Sequence, residues 1–460
     1  MVTVSPVRPV VAKSLVDILS QKREKVDNEL PTERLIEIAS ANPIVNTFLR
    51  LAVIPTPTIR PGHPQEDGMK QNMKRGMDLY VECFKELGIP DKNFEIDNYG
   101  SLIIRVPGSS GYEDKQPIML MGHMDVVPAD LKDPLHPIHP VLIMHMHPIQ
   151  NTLKEYLASD GTTTLGVDDK ALLAIIRDVV RKLKEENISH VPIEIVVAPD
   201  EEEEGTSLVN LDASKFNAKY IIVLDDDRAF KVTFGCGSFV NIKIDIDGLQ
   251  SGHSADDNQG AMISAADVLK ELHDSIGNRV IKYFTDFKVP LISKNIYEYE
   301  IDKTASNRIP AKGHIYLSLR SNVESLEREE LNRIQEEVKR IEQKYKGTEK
   351  GLQIKINIHK EMPPWNGDPK SLIATLLIQS AKEMGHEGEI KIAPSHGATQ
   401  VNNLVGKKNH RGEEFIPVII GVDSEGWHST KEKVDWKSMV EVSDWLYRVI
   451  QNYMAEKNIP

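Results

Sequence analysis

Apolar positions along this chain change their period several times, and each change marks an element. From about Phe94 short apolar runs appear, FEIDNYGSLIIRV and then PIMLMGHMD at 117–125. The second is β-rich and ends in polar residues, the pattern of a buried strand whose functional end is exposed. Lys170 to Glu185 repeats apolar residues at helical spacing and predicts an amphipathic helix. Strand runs follow in VPIEIVVAPD (191–200), AKYIIVLDDD (218–227) and FKVTFGCG (230–237). Toward the C-terminus, SLIATLLIQSAKEMG reads as a helix, EIKIAPSH and FIPVIIGVD as strands, and WKSMVEVSDWLYRVIQNYMA as a closing helix. Strands alternating with helices predict an α/β domain with a mostly parallel central sheet.

Between these halves the texture changes. SFVNIKIDIDGL alternates strictly at Val240, Ile242, Ile244 and Ile246, as a half-buried strand does. MISAADVLKELHDSI predicts a helix, HIYLSLRSN a strand, REELNRIQEEVKRIEQKYK a helix and LQIKINIH a strand, with one more strand within 286–301. This β-α-β-β-α-β order can form its own small core. An inserted α+β domain is therefore expected over 238–360, dividing a discontinuous α/β domain of 1–237 and 361–460. Residues 1–40 read as a peripheral helix or arm. The Pro- and His-containing stretch at roughly 127–160, with His136, His139, His145 and His147, reads as a loop rather than a metal site.

Composition narrows the function. With 40% hydrophobic and 27% charged residues over 460 positions, the chain reads as soluble and multidomain. No apolar run is long enough to span a bilayer, and the N-terminal stretch lacks the features of a secretory signal. Two cysteines, Cys83 and Cys236, are too few for a disulfide framework, so a reducing, cytoplasmic location is expected. A net charge of −13 argues against a nucleic-acid partner.

Part of that acidity sits at the ends of apolar runs, where α/β sheets place their sites. GHMDVVP offers His123 and Asp125, which as i and i+2 on a strand face the same way, so the carboxylate can orient the imidazole. DGTTTLGVDDK places Asp168 and Asp169 before a helix. Either could be a helix cap, or Asp168 could give one oxygen to each of two ions. APDEEEEGT sets consecutive glutamates behind a buried strand, IIVLDDD supplies Asp225, and EGWHSTKE supplies His428. Together His123, Asp168, Glu202 or Glu203, Asp225 and His428 satisfy two zinc-like centres with open positions, leaving a glutamate as base.

These residues, in this order, resemble the co-catalytic di-zinc exopeptidases that include peptidase T, aminoacyl-histidine dipeptidase, carnosinase and acetylornithine deacetylase. DGTTTLG and the GCG segment are most similar to the peptidase T and aminoacyl-histidine dipeptidase branch. The resemblance implies a phosphorylase/hydrolase-like catalytic domain and a ferredoxin-like lid through which a homodimer can form. It implies two divalent ions, Zn2+ first and Co2+ or Mn2+ next. His123 and Asp225 would hold one, His428 and a glutamate the other, with Asp168 bridging and Asp125 orienting His123. Anchored on Pro199-Asp200, Glu201 is the general base and Glu202 the ligand; anchored on Gly205, the roles move to Glu202 and Glu203. The first register is preferred.

Lid residues His253, Asn307 and Arg320, with His396 in PSHGATQ, are implied to contact substrate, His253 at the oxyanion. The expected reaction is hydrolysis of short peptides, as a tripeptide aminopeptidase or a dipeptidase, by a water activated between the ions and a glutamate base. The alternatives are an N-acyl amino acid amidohydrolase on the same scaffold and a metal-binding relative without catalysis.

Overall fold

The computed structural model describes residues 13–456 apart from Lys22, Glu204, 256–261, Asn278, 281–291, Thr304, 348–350 and His396. Backbone contacts divide the chain into two compact units. Unit 1 runs to Phe234 and takes in Gly367–Ile392 and the chain from Gly406. Unit 2 comprises Gly235–Asn366 and Ala393–Val405. Unit 2 is thus a few residues wider on each side than 238–360, and it includes a segment expected in the catalytic domain.

Unit 1 is built around a mixed sheet in the order Phe94–Ile96, Leu102–Val106, Ile193–Ala198, Ile118–His123, Tyr220–Leu224, Ile416–Ile420 and Lys231–Cys236. The four central strands are parallel, and the pairings that flank them are antiparallel. The expected mostly parallel sheet is therefore corrected to a mixed one. The reason is local. Every residue of Ile118–His123 and Ile193–Ala198 is buried, as parallel strands require, whereas the flank strand Phe94–Ile96 is partly exposed and returns by a short connection.

Register fixes what the sheet presents. His123 pairs with Ala198, Met121 with Val223, and Leu224 with Ile420. His123, the turn after Ala198 and Asp225 therefore leave the sheet at one edge.

Two sequence expectations change here. The 127–160 stretch is not simply a loop: Pro140–Met146 and Leu153–Ser159 form an antiparallel hairpin. With Lys433–Asp435 and Ser424–Glu425 it makes a second, four-stranded sheet. Within 13–40, Leu15, Leu19, Leu35 and Ile38 are buried in the main core, so this segment is no peripheral arm. Only one stripe of helix Thr32–Ala41 is apolar, which gives it a polar look in the sequence. Helix Pro43–Ala52 follows directly, with Asn42 accepting from the N–H groups of Ile44 and Val45 as its cap.

Unit 2 has a five-stranded antiparallel sheet in the order Arg279–Val280, Ile292–Ile301, Gly313–Ser321, Phe239–Asp247 and Gln353–Met362. Val240, Ile242, Ile244 and Ile246 are buried while the residues between them are not, as their alternation requires. Helices Ala265–Ile276 and Glu324–Lys346 supply the rest of this core. No described helix of either unit is long and apolar enough to cross a membrane.

Candidate metal centre

At the C-terminal edge of the parallel strands, residues far apart in sequence converge within unit 1. His123, the last residue of its strand, is fully buried. Its Nε2 lies 3.0 Å from Asp168 Oδ1, and its Nδ1 lies 3.3 Å from Asp125 Oδ1 and 3.0 Å from the Asp125 backbone oxygen. The backbone N–H of His123 donates to Asp169 Oδ2 at 2.9 Å. A side chain on Gly122 would run into that same carboxylate, so glycine is needed for this approach.

Asp168 stands in the irregular turn Val167–Ala171 before helix Leu172–Glu185, and neither it nor Asp169 caps that helix. Its second oxygen, Oδ2, lies 3.1 Å from His428 Nε2. One carboxylate thus faces two imidazoles from opposite oxygens. His428 is also 3.1 Å from Glu202 Oε2. It sits on the turn between strands Ser424–Glu425 and Lys433–Asp435, at a φ of 59°, a region non-glycine residues rarely occupy and one that clusters at functional sites.

The acidic turn is folded by its own first residue. Asp200 accepts from the N–H and hydroxyl of Ser207, and its carbonyl accepts from Gly205. Asp125 then grips the turn from outside: its oxygens accept from the backbone N–H groups of Glu201 (3.0 Å) and Glu202 (3.1 Å) and from Thr58 Oγ1 (2.7 Å). Asp125 therefore ties the imidazole of His123 to the backbone that carries the glutamates. Glu203 points elsewhere and is ion-paired with Arg60.

The electrostatics call for cations. Burial, then the charge of Asp168, pushes the Glu202 carboxyl well above its ordinary range; burial and the charges of Glu201 and Asp168 do the same to Asp225. Burial opposes ionisation of Asp168 too, but hydrogen bonds from His123 and His428 hold it below the usual carboxylate range. Hydrogen bonding to Asp168 and Glu202 raises His428 to about 10. Glu202 Oε1 and Asp169 Oδ1 are buried without a hydrogen-bond partner. A buried oxygen left this way costs free energy unless something positive meets it. Imidazole nitrogens and carboxylate oxygens are the donors Zn2+ takes, and the residues present fit such ions.

Residues 119–452 match peptidase family M20/M25/M40. The chain belongs to that family. Among curated proteins, this M20/M25/M40 member is 21% identical over 399 residues to peptidase T of Geobacillus sp., covering 81% of this chain and 90% of that protein. It is 25% identical over 234 residues to the cytosol non-specific dipeptidase of Escherichia coli, covering 47% of this chain and only 43% of that protein. Among solved structures it is similar to a tripeptidase from Staphylococcus aureus, with a TM-score of 0.70 and 19% identity over 90% of this chain and 98% of that one. At that identity the structural likeness speaks for the fold.

Among the described residues of this family member, three groups bring metal-type donors together: His123, Asp168 and Glu202; His147, Asp423 and Asp435; and Glu298, Glu300 and His314. They are not equivalent. In the second, Asp435 pairs with Lys154 at 2.7 Å and accepts from Lys437 N–H, while Asp423 accepts from His147 and from Ala229 N–H. Its carboxylate oxygens already have partners within the protein. The third is an exposed group on the sheet of unit 2. Only in the first is a buried oxygen, Glu202 Oε1, left without a hydrogen-bond partner.

The remaining expected residues lie in unit 2. His253 Nε2 and the Asn307 side-chain amide are 3.0 Å apart, and the Arg320 guanidinium lies 4.5 Å from the Phe239 ring centre. His396 lies outside the described residues. Two residues of the centre escaped the sequence reading. In the sequence Asp169 reads only as a helix cap, and Glu432, which accepts from the backbone of the Asp168 turn, has no reading of its own. Both lie inside segments already singled out, DGTTTLGVDDK and EGWHSTKE, but they act on backbone N–H groups, which leave no residue-type signal in the sequence.

Proposed function

We propose that this chain is a two-metal exopeptidase that hydrolyses short peptides, as a tripeptide aminopeptidase or dipeptidase. The observation that carries the reading is the Asp168 carboxylate set between His123 and His428, with Glu202 on His428, at the edge of a buried sheet. His123 and Asp225 would hold one ion, His428 and Glu202 the other, and Asp168 both. Zn2+ suits this donor set best, with Co2+ or Mn2+ as substitutes. When bound, such ions acidify water and polarise the scissile carbonyl.

The protein's own groups do the rest. Glu201 takes a proton from the attacking water and later hands it to the leaving amine. Its proximity to Asp225, Asp169 and Glu202, whose carboxyls its charge pushes upward, supports that position. The ion pair of Glu203 with Arg60 supports the register in which Glu202, not Glu203, is the ligand. Asp125 keeps His123 and the glutamate turn in register with each other. From the lid, His253 would stabilise the developing oxyanion, with Asn307, Arg320 and His396 as further substrate contacts.

The test is metal analysis of the purified protein combined with a parallel screen of dipeptides, tripeptides and N-acetyl amino acids. Two ions per chain and release of free amino acids from the peptides are expected, and both should be lost in Asp168→Ala. Full activity in that variant would sink the bridging role. Turnover of N-acetyl amino acids alone would reassign the substrate class.

A further inference from the structure

We infer that Glu432 is a positioning residue that sets the Asp168 carboxylate between the two imidazoles. The inference rests on the metal-centre reading above. Glu432 is 2% exposed. Its Oε2 accepts from the N–H groups of Leu165 (2.6 Å) and Gly166 (2.7 Å), and its Oε1 from the N–H of Asp168 (3.2 Å). A buried carboxyl group whose two oxygens hold three backbone donors is a clamp that is costly to undo, since removing it leaves buried N–H groups unpaired.

What the clamp grips gives it a function. The segment Leu165–Asp168 makes its bend through Gly166, at a φ of 80°, and ends on the bridging aspartate. Glu432 comes from the turn between strands Ser424–Glu425 and Lys433–Asp435, which also carries His428. That single turn therefore touches Asp168 twice: at its side chain through His428 Nε2 and at its backbone N–H through Glu432. Since the four-stranded sheet fixes the turn at both ends, the separation of Asp168 from His428 is set by one piece of structure.

Glutamine has nearly the same shape but a single acceptor oxygen. In Glu432→Gln the amide can serve Leu165 and Gly166 or Asp168, and its NH2 group must face the remaining donor. Two readouts follow, neither of which needs turnover. In metal-free protein, amide exchange at Leu165, Gly166 and Asp168 should quicken by about tenfold or more in the variant. Titration with Zn2+ alone against a competing chelator should show binding weakened by about 10- to 100-fold, the usual effect of losing a group that orients ligands.

A purely structural role would lower stability yet leave the absorption spectrum of the Co2+-saturated variant unchanged; a shifted spectrum is expected. Glu432→Asp, one methylene shorter, should lose the longest bond, to Asp168, and bind Zn2+ about tenfold more weakly. It decides the matter if the glutamine variant does not fold. Wild-type exchange, Zn2+ affinity and Co2+ spectrum in the folded variant would overturn the inference. Failure of the unaltered protein to bind two ions would instead overturn the metal-centre reading, and the exchange experiment would still report the clamp.

Discussion

Three neighbouring glutamates meet three different surroundings, and this is where chemistry separates from charge. Glu202 reaches His428, Glu203 reaches Arg60, and Glu201 is held by its backbone on Asp125. Each should therefore fail differently. Glu201→Gln is expected to keep both ions while turnover falls by about 10²- to 10⁴-fold, the range of a lost general base. Glu202→Gln should lose one ion. Glu203→Gln should keep both ions and stay within a few-fold of normal turnover, since a half-exposed ion pair contributes about 0–1 kcal/mol. Metal content and kcat measured together decide it; an ion lost from Glu203→Gln would move the register one residue toward Gly205. The sequence could bring His123, Asp168, Glu202 and His428 forward as candidates because histidines and carboxylates at strand ends are the residue types that metal ions take, and the structure sets these four side chains together. It could not name Glu432, whose partners are N–H groups that every residue has.

At the scale of elements, legibility followed periodicity. The strand at Val240–Ile246 and the helix at Leu172–Glu185 were readable because one face of each is buried throughout. The hairpin Pro140–Ser159 was not, because proline and histidine are dispersed through it and its tip exposes Met146 and Leu153. Nor could a pattern of apolar residues reveal the buried ion pair that joins strand Ile292–Ile301 to helix Glu324–Lys346 in unit 2. Lys294 Nζ lies 2.6 Å from Glu330, at side-chain exposures of 0% and 8%. Burial opposes the charge on Glu330, but hydrogen bonds from Arg333 and Lys294 hold its carboxyl below the usual range. A carboxyl lowered in the folded state contributes stability above its unfolded value of about 4.3, and that contribution is lost as pH falls through the folded value. Unit 2 should therefore weaken below about pH 4. Glu330→Gln removes the counter-charge of the buried Lys294, which keeps the Ile276 carbonyl as an acceptor, and should cost about 3 kcal/mol near neutrality. It should also lack the acid-side slope. Urea midpoints followed by circular dichroism at pH 3, 4 and 7 test both; equal acid slopes in the two proteins would remove Glu330 as the cause.

For the whole molecule the partition of the proposed ligands between units matters most. His123, Asp168, Glu202, Asp225 and His428 all belong to unit 1, and unit 2 contributes none of them. An ion that binds only the folded protein stabilises it by RT ln(1 + [L]/Kd), about 2.7 kcal/mol when the free ion is at 100 times Kd. All of that stabilisation falls on unit 1. The chain has four tryptophans, of which only Trp365 lies in unit 2; Trp427, Trp436 and Trp445 lie in unit 1. In Trp365→Phe, tryptophan fluorescence therefore follows the unfolding of unit 1 by itself. Zn2+ in excess should raise that midpoint by about 5 °C, the scale a few kcal/mol produces in a unit of this size. A chelator should return it. Asp168→Ala should show neither response, because removing the shared carboxylate takes a ligand from both ions at once. A fluorescence midpoint indifferent to Zn2+ in the unaltered centre would mean that the buried acids are neutralised by protons alone, and the exopeptidase reading would fall with the ions.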